Sequence, residues 1–176
     1  MTVTFIRHVI KDNGANSFCP CKYTVYKDSA LIGQFEYYSE HAYFTIENKR
    51  YTINSKINFP FFIPLLKYVI TENDSGDKLG EFETQLLKLY RLKLINQKVF
   101  DIKRKRTNES SSVLLLSNKN ISISYHFPEN SFTEEAHRKN MKGEIELDSL
   151  QNLIALFSGF FLVEIELGNY NYDPDN

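Results

Sequence analysis

A chain of 176 residues with 21 Lys and Arg against 22 Asp and Glu has a net charge of −1, which excludes a global electrostatic case for nucleic acid. Hydrophobic residues make up 42% of it and Gly and Pro are few, so the composition is not that of a disordered chain. The length suffices for one domain that buries its own core without metal or disulfide staples.

From the start of the chain, residues 1–10 alternate and lack a continuous apolar segment. No secretory signal is expected, and a cytoplasmic location is the default. Cys19 and Cys21 flank Pro20. A disulfide between positions two apart would be strained, and two ligands are too few for zinc, so both read as free thiols in a reducing compartment.

A weak repeat follows. Residues 23–36, with Tyr23, Gly33 and Phe35, are echoed by residues 68–83, with Tyr68, Gly80 and Phe82. Ten residues past each glycine stands a tyrosine, Tyr43 and Tyr90, and then come residues 46–49 and 95–98. Each unit reads as a four-strand meander, and two copies suggest a sheet that curls and closes. Between them, residues 58–66 are apolar but interrupted by Pro60 and Pro64, which break helices and central strands; they read as a buried crossover.

Further along, period-two alternation dominates. Tyr90, Leu92 and Leu94 alternate with Arg91 and Lys93, and Phe100 and Ile102 with Asp101 and Lys103. Ile121, Ile123, Tyr125 and Phe127 alternate with Ser122, Ser124 and His126, and Ile145 and Leu147 with Glu144 and Glu146. Such strands have one face on a core and one in water, the habit of antiparallel sheets. Polar connections at residues 47–49, 96–98 and 117–120 predict hairpins. Longer breaks are expected at residues 12–20, 54–64, 107–112 and 128–142. About a dozen strand candidates fall within residues 1–147.

The last element differs. Residues 149–163 carry no charge, and residues 153–163 are apolar at every angle except Ser158 and Gly159. Asp148 with Gln151 resembles a capping box, which predicts a helix over about 149–166, then an acidic tail over 168–176. Fifteen uncharged residues span about 22 Å at ~1.5 Å per residue, short of a bilayer core of ~30 Å. Acidic neighbours, Glu144, Glu146 and Asp148 before and Glu164 and Glu166 after, also argue against membrane insertion. A helix with no polar face is expected inside protein, with Phe157, Phe160 and Phe161 inaccessible to solvent. A closed sheet of about twelve strands has an interior that needs such a filling.

The repeat units at 23–36 and 68–83, with the helix at 150–167, resemble the tubby C-terminal-like superfamily, which includes phospholipid scramblases and LURP-one-related proteins. That resemblance implies one domain over residues 1–176: a mainly β, closed or nearly closed antiparallel β-barrel around a C-terminal hydrophobic helix.

Catalytic chemistry is sparse. His8, His41, His126 and His137 show no metal-ligand spacing and read as surface residues. There is no phosphate loop, nucleophile elbow or Cys–His arrangement. Glu144 and Glu146 share a strand face and read as solvated acids. One charge cluster stands out: Lys103, Arg104, Lys105 and Arg106, with Arg91 and Lys93 upstream, on a hairpin that gathers cations on one side. Juxtaposed Lys and Arg hold anionic headgroups at about 1 kcal/mol each near such a membrane. Tubby domains bind phosphoinositides through basic barrel residues, so the resemblance implies the same chemistry. The expectation is a non-enzymatic binding module without a cofactor, acting on an anionic phospholipid surface or a protein. The alternatives are a small-ligand carrier or enzyme using a barrel-mouth pocket, or a scramblase-like membrane-associated protein.

Overall fold

The computed structural model describes residues 1–10, 20–39, 41–58, 65–85, 88–106, 111–117, 120–128, 139–148 and 152–168. Twelve strands precede one helix. They are β1 (Thr2–Val9), β2 (Cys21–Lys27), β3 (Ala30–Tyr37), β4 (His41–Ile46), β5 (Lys49–Asn58) and β6 (Leu65–Glu72). Then come β7 (Lys78–Gln85), β8 (Lys88–Leu94), β9 (Val99–Arg106), β10 (Ser111–Ser117), β11 (Asn120–Phe127) and β12 (Met141–Leu147). Helix α1 covers Leu153–Gly168. Each strand pairs antiparallel with the next, and β12 pairs with β1, so the sheet is a closed barrel without edges.

Local chemistry sets the corners. Asp28 with Ser29, and Glu47 with Asn48, are two-residue turns in which both residues have positive φ. That geometry matches the right-handed twist of the strands it joins. Gln97 has φ 64° in the β8–β9 turn.

The repeat has a structural counterpart. Tyr23 stands opposite Phe35 and Val25 opposite Gly33, and the register shifts just after Val25. Tyr68 stands opposite Phe82 and Ile70 opposite Gly80, and the register shifts just after Ile70. The two units thus carry the same bulge opposite the same glycine. Their tyrosines do not correspond, however. Tyr43 pairs with Glu36, whereas Glu83 pairs with Arg91, because an extra residue at Tyr90 is absorbed by a bulge. For the same reason Ile46, opposite Gly33, matches Leu94, opposite Gly80, and not Ile95, which is exposed.

Other expectations need correction. Residues 58–66 do not form a crossover between distant strands. They join β5 to β6, which pair with each other up to Asn58 and Leu65; residues 59–64 lie outside the described residues. β5 also runs past Asn54, where a break was expected. Ile121 faces water, because the β10–β11 register slips and leaves Ser122 as the extra residue. The helix is described from Leu153, and Asp148 directly follows β12, its N–H donating to the Ser122 carbonyl. Residues 149–151, which include part of the expected cap, lie outside the described residues.

The helix occupies the barrel interior. Phe157, Phe160 and Phe161 are fully buried. Phe160 meets Phe5 of β1, Tyr23 of β2, Phe35 of β3 and Tyr125 of β11, with its ring centroid 4.2 Å from that of Tyr23. Phe161 meets Tyr37 of β3, Tyr68 of β6 and Phe82 of β7, and Phe157 lies flat on Phe44 of β4. One helix thus touches opposite sides of the wall. Gly159 permits its fit, since a Cβ there would collide with the Tyr125 hydroxyl, which donates to the Leu156 carbonyl at 2.6 Å.

The strand alternation points apolar residues inward and charged residues outward, the reverse of a channel barrel in a membrane. Among the described residues, no helix is long and apolar enough to cross a membrane.

Candidate functional site

Strand parity brings one arginine inside. In β1, Val3 and Phe5 face the core, and Arg7 takes the next inward position. In β2 the same logic turns Cys21 and Tyr23 inward. On α1, Glu164 lies one turn beyond Phe160 and is 4% exposed. The four side chains meet at one end of the filled barrel. Arg7 Nε donates to Glu164 Oε1 at 2.7 Å and Nη2 to Oε2 at 3.1 Å, while Nη1 reaches the Lys139 carbonyl at 3.2 Å. The Tyr23 hydroxyl donates to the same carboxylate.

The electrostatics follow from burial and that pairing. Burial alone would disfavour the Glu164 charge, but Arg7 and the hydrogen bonds from Arg7, Tyr23 and Cys21 outweigh it and hold the carboxyl below its usual range. Burial, reinforced by the Glu164 charge, pushes the Cys21 thiol and the Tyr23 hydroxyl well up. Burial opposes the Arg7 charge, and Glu164 more than compensates. The thiol is therefore neutral and enclosed, without the thiolate or the access a nucleophile requires. Chemically the cluster is a clamp between helix and wall. Sequence reasoning missed it by reading Glu164 as a flanking acid, although the inward parity of Arg7 was visible.

The expected basic hairpin divides between two register faces. Arg91 pairs with Asp101, Nε to Oδ1 at 2.8 Å, and Lys93 pairs with Glu83. Next to them, Glu81 holds Lys67 and Lys78, whose hydrogen bonds keep its carboxyl low despite partial burial. Lys103 is exposed and makes no ion pair with the described residues. Arg104 stands at the register position opposite Val113, and Lys103 and Lys105 stand opposite Leu114 and Ser112. Strand alternation thus assigns Lys103 and Lys105 to the register face of Arg91 and Lys93, and Arg104 and Arg106 to the other. The side chains of residues 104–106 lie outside the described residues.

His8 is exposed, and His41 is half-buried and stacked on Tyr38 at 5.4 Å. His126 Nε2 lies 3.4 Å from Glu146 Oε2, too poorly aligned for a hydrogen bond but close enough for an ion pair when protonated. His137 and Cys19 lie outside the described residues, among which no group of three or more His, Cys, Asp or Glu is placed to hold a metal.

An outer recess of about 530 Å³ lies where β11, β12 and β1 meet, lined by Thr4, Ile6, His126, Pro128, Lys142 and Glu144, with Phe5, Phe127 and Gly143. No protein-family model matches this chain, and neither do any curated protein or solved structure.

Proposed function

We propose that this chain is a non-enzymatic binding module that works through the outside of its barrel. The observation that carries the reading is the filled interior. Helix residues 155–163 are all buried, and the buried ionisable groups at the end of the barrel are spent on one another. An interior of that kind leaves no room for the substrate of a mouth-pocket enzyme or the cargo of a small-ligand carrier.

The outer partner best matched to the surface is anionic. Lys103 is exposed and has no ion-pair partner among the described residues, and Lys105 shares its register face. Arg91 and Lys93, already tied to carboxylates, add less than their number suggests. The resemblance to the tubby C-terminal-like superfamily supports the same reading, which keeps the chain in a reducing, cytoplasmic setting. Sedimentation with phosphatidylserine-containing vesicles at low salt tests it. Wild type is expected to sediment and the Lys103→Glu, Lys105→Glu double variant to stay in the supernatant. Wild type that ignores anionic vesicles overturns the lipid assignment and leaves an acidic protein surface as the partner to seek.

A further inference from the structure

The outer wall over β3, β4 and β5 holds an arginine that is oriented but not neutralised. Strand parity sends Phe35, Phe44 and Tyr51 to the core, and so turns Gln34, Glu36, Tyr43, Thr45 and Arg50 outward. The register sets them in two rows: Gln34 beside Thr45 beside Arg50, and Glu36 beside Tyr43. Together they line a recess of about 270 Å³. Phe44 also borders it, but its ring lies in the interior against Phe157.

Arg50 is exposed, yet its guanidinium is laid over the Tyr43 ring, 4.8 Å from the centroid. That ring is itself braced. His41 meets it at 5.3 Å and Tyr38 at 6.1 Å, both edge to face, and Tyr38 and His41 stack on each other. The Tyr38 hydroxyl donates to Glu36 Oε2 at 3.2 Å, and Glu36 Oε1 holds Lys22 at 3.2 Å. Both oxygens of the carboxylate that lines the recess are thus taken by other groups. Arg50 has no carboxylate partner among the described residues, whereas Lys22, Lys49, Lys67 and Lys93 on the outer wall each have one. A guanidinium resting on an aromatic face presents its N–H donors in a fixed plane. Part of its rotamer freedom is already lost, so an incoming acceptor meets a smaller ordering cost.

We infer that this recess is a binding site for a small monocarboxylate, its two oxygens on the Arg50 fork and the Thr45 hydroxyl and Gln34 amide alongside. The planar fork matches a carboxylate bidentately. One unmatched positive charge, with Glu36 close by, suits a single negative charge and not the two of a phosphate monoester. The volume falls just below the ~300–1,000 Å³ of drug-sized sites, which limits the occupant to a small acid whose body lies beside Tyr43. The strands that build the site carry neither Lys103 nor Lys105, so it stands or falls separately from vesicle binding.

The probe is benzoate, titrated into the folded full chain at constant ionic strength, with backbone amide and arginine Nε–H shifts followed by NMR. Saturable binding is expected, with shifts centred on Gln34, Tyr43, Thr45 and Arg50 and the Arg50 Nε–H signal among the most displaced. Benzamide, the neutral isostere, should bind at least about tenfold more weakly, since charge-assisted bonds are about twice as strong as neutral ones. Arg50→Lys keeps the charge and loses the fork, and should also weaken benzoate about tenfold. Tyr43→Leu keeps an apolar side chain and loses the plate, and should weaken it less. Far-UV circular dichroism confirms that the variants are folded; if Tyr43→Leu does not fold, Arg50→Lys and the shift map decide the matter. Shifts centred elsewhere, absence of saturable binding, equal affinity for benzamide, or an unchanged affinity in Arg50→Lys would overturn the proposal. Inorganic phosphate binding the same residues more tightly than benzoate would overturn the carboxylate assignment.

Discussion

Arg7 and Glu164, 157 residues apart in the chain, meet in a two-point ion pair inside the barrel. Both charges have left water, so their value lies in being matched: removing one strands the other. Arg7→Met or Glu164→Leu alone should each cost about 3–5 kcal/mol, while the two together should recover most of that loss. Urea unfolding of the four proteins measures the cycle. Additive losses in the double variant would show that the pairing is not the source.

The same pair gives the protein an acid limb. The folded Glu164 carboxyl lies below its unfolded value of ~4.3, so the folded state binds fewer protons there. Its stabilisation is complete above the unfolded value and is lost as pH falls from there towards the folded one. Stability should therefore decline below about pH 5, and the slope should flatten in Glu164→Gln. Parallel limbs for the two proteins would exclude Glu164 as the source.

Cys21 should be chemically silent in the native state. Its thiol is fully buried and its ionisation is pushed up, first by burial and then by Glu164. In a Cys19→Ser background, a thiol reagent should label it no faster than the protein unfolds, and fully in concentrated urea. Because the folded value is the raised one, stability from this group is intact below the unfolded value of ~8.5 and declines as pH rises beyond it. Rapid native labelling would contradict the enclosure of this end of the barrel.

Gly159 and Tyr125 should behave as a coupled pair. Gly159→Ala drives a methyl into the Tyr125 ring and should cost about 1–3 kcal/mol. Tyr125→Phe alone loses the bond to the Leu156 carbonyl, about 1 kcal/mol. Combined, the two should cost less than their sum, because the phenyl ring lacks the atom nearest the new methyl. A strictly additive thermal-denaturation cycle would argue against the contact.

Ser158 offers a stabilising change. Its hydroxyl is fully buried and has no hydrogen-bond partner among the described residues. Ser158→Ala removes an unsatisfied group and improves helix propensity, and should raise stability by about 1 kcal/mol. A lower midpoint in urea would show that the hydroxyl has a role.

The strands and the buried helix were legible because their signals are local: alternation of two residues, and an apolar run too long for a strand and too short for a bilayer. The clamp was not, because its halves lie at opposite ends of the chain and meet only through barrel closure. Glu164 ends an uncharged run, so it looked like the start of solvent; the turn relation to Phe160 is the clue that it stays inside. The basic run is less dense than it reads for a different reason. Consecutive residues on a strand face opposite ways, so charge density along the sequence halves on each face, and cross-strand carboxylates such as Asp101 and Glu83 reduce it further.

The helix that fills the barrel follows all twelve strands in the chain. During synthesis the wall is therefore made before anything that can support it from within, and β1 waits for β12 as its neighbour. A nascent chain must hold a ribbon of aromatic faces without their partner until the final segment emerges, so closure comes as a late event dominated by distant contacts. A chain cut after Leu147 would have every strand and nothing to wrap around. Folding yield, rather than final stability, is where damage to the last helix should first be felt.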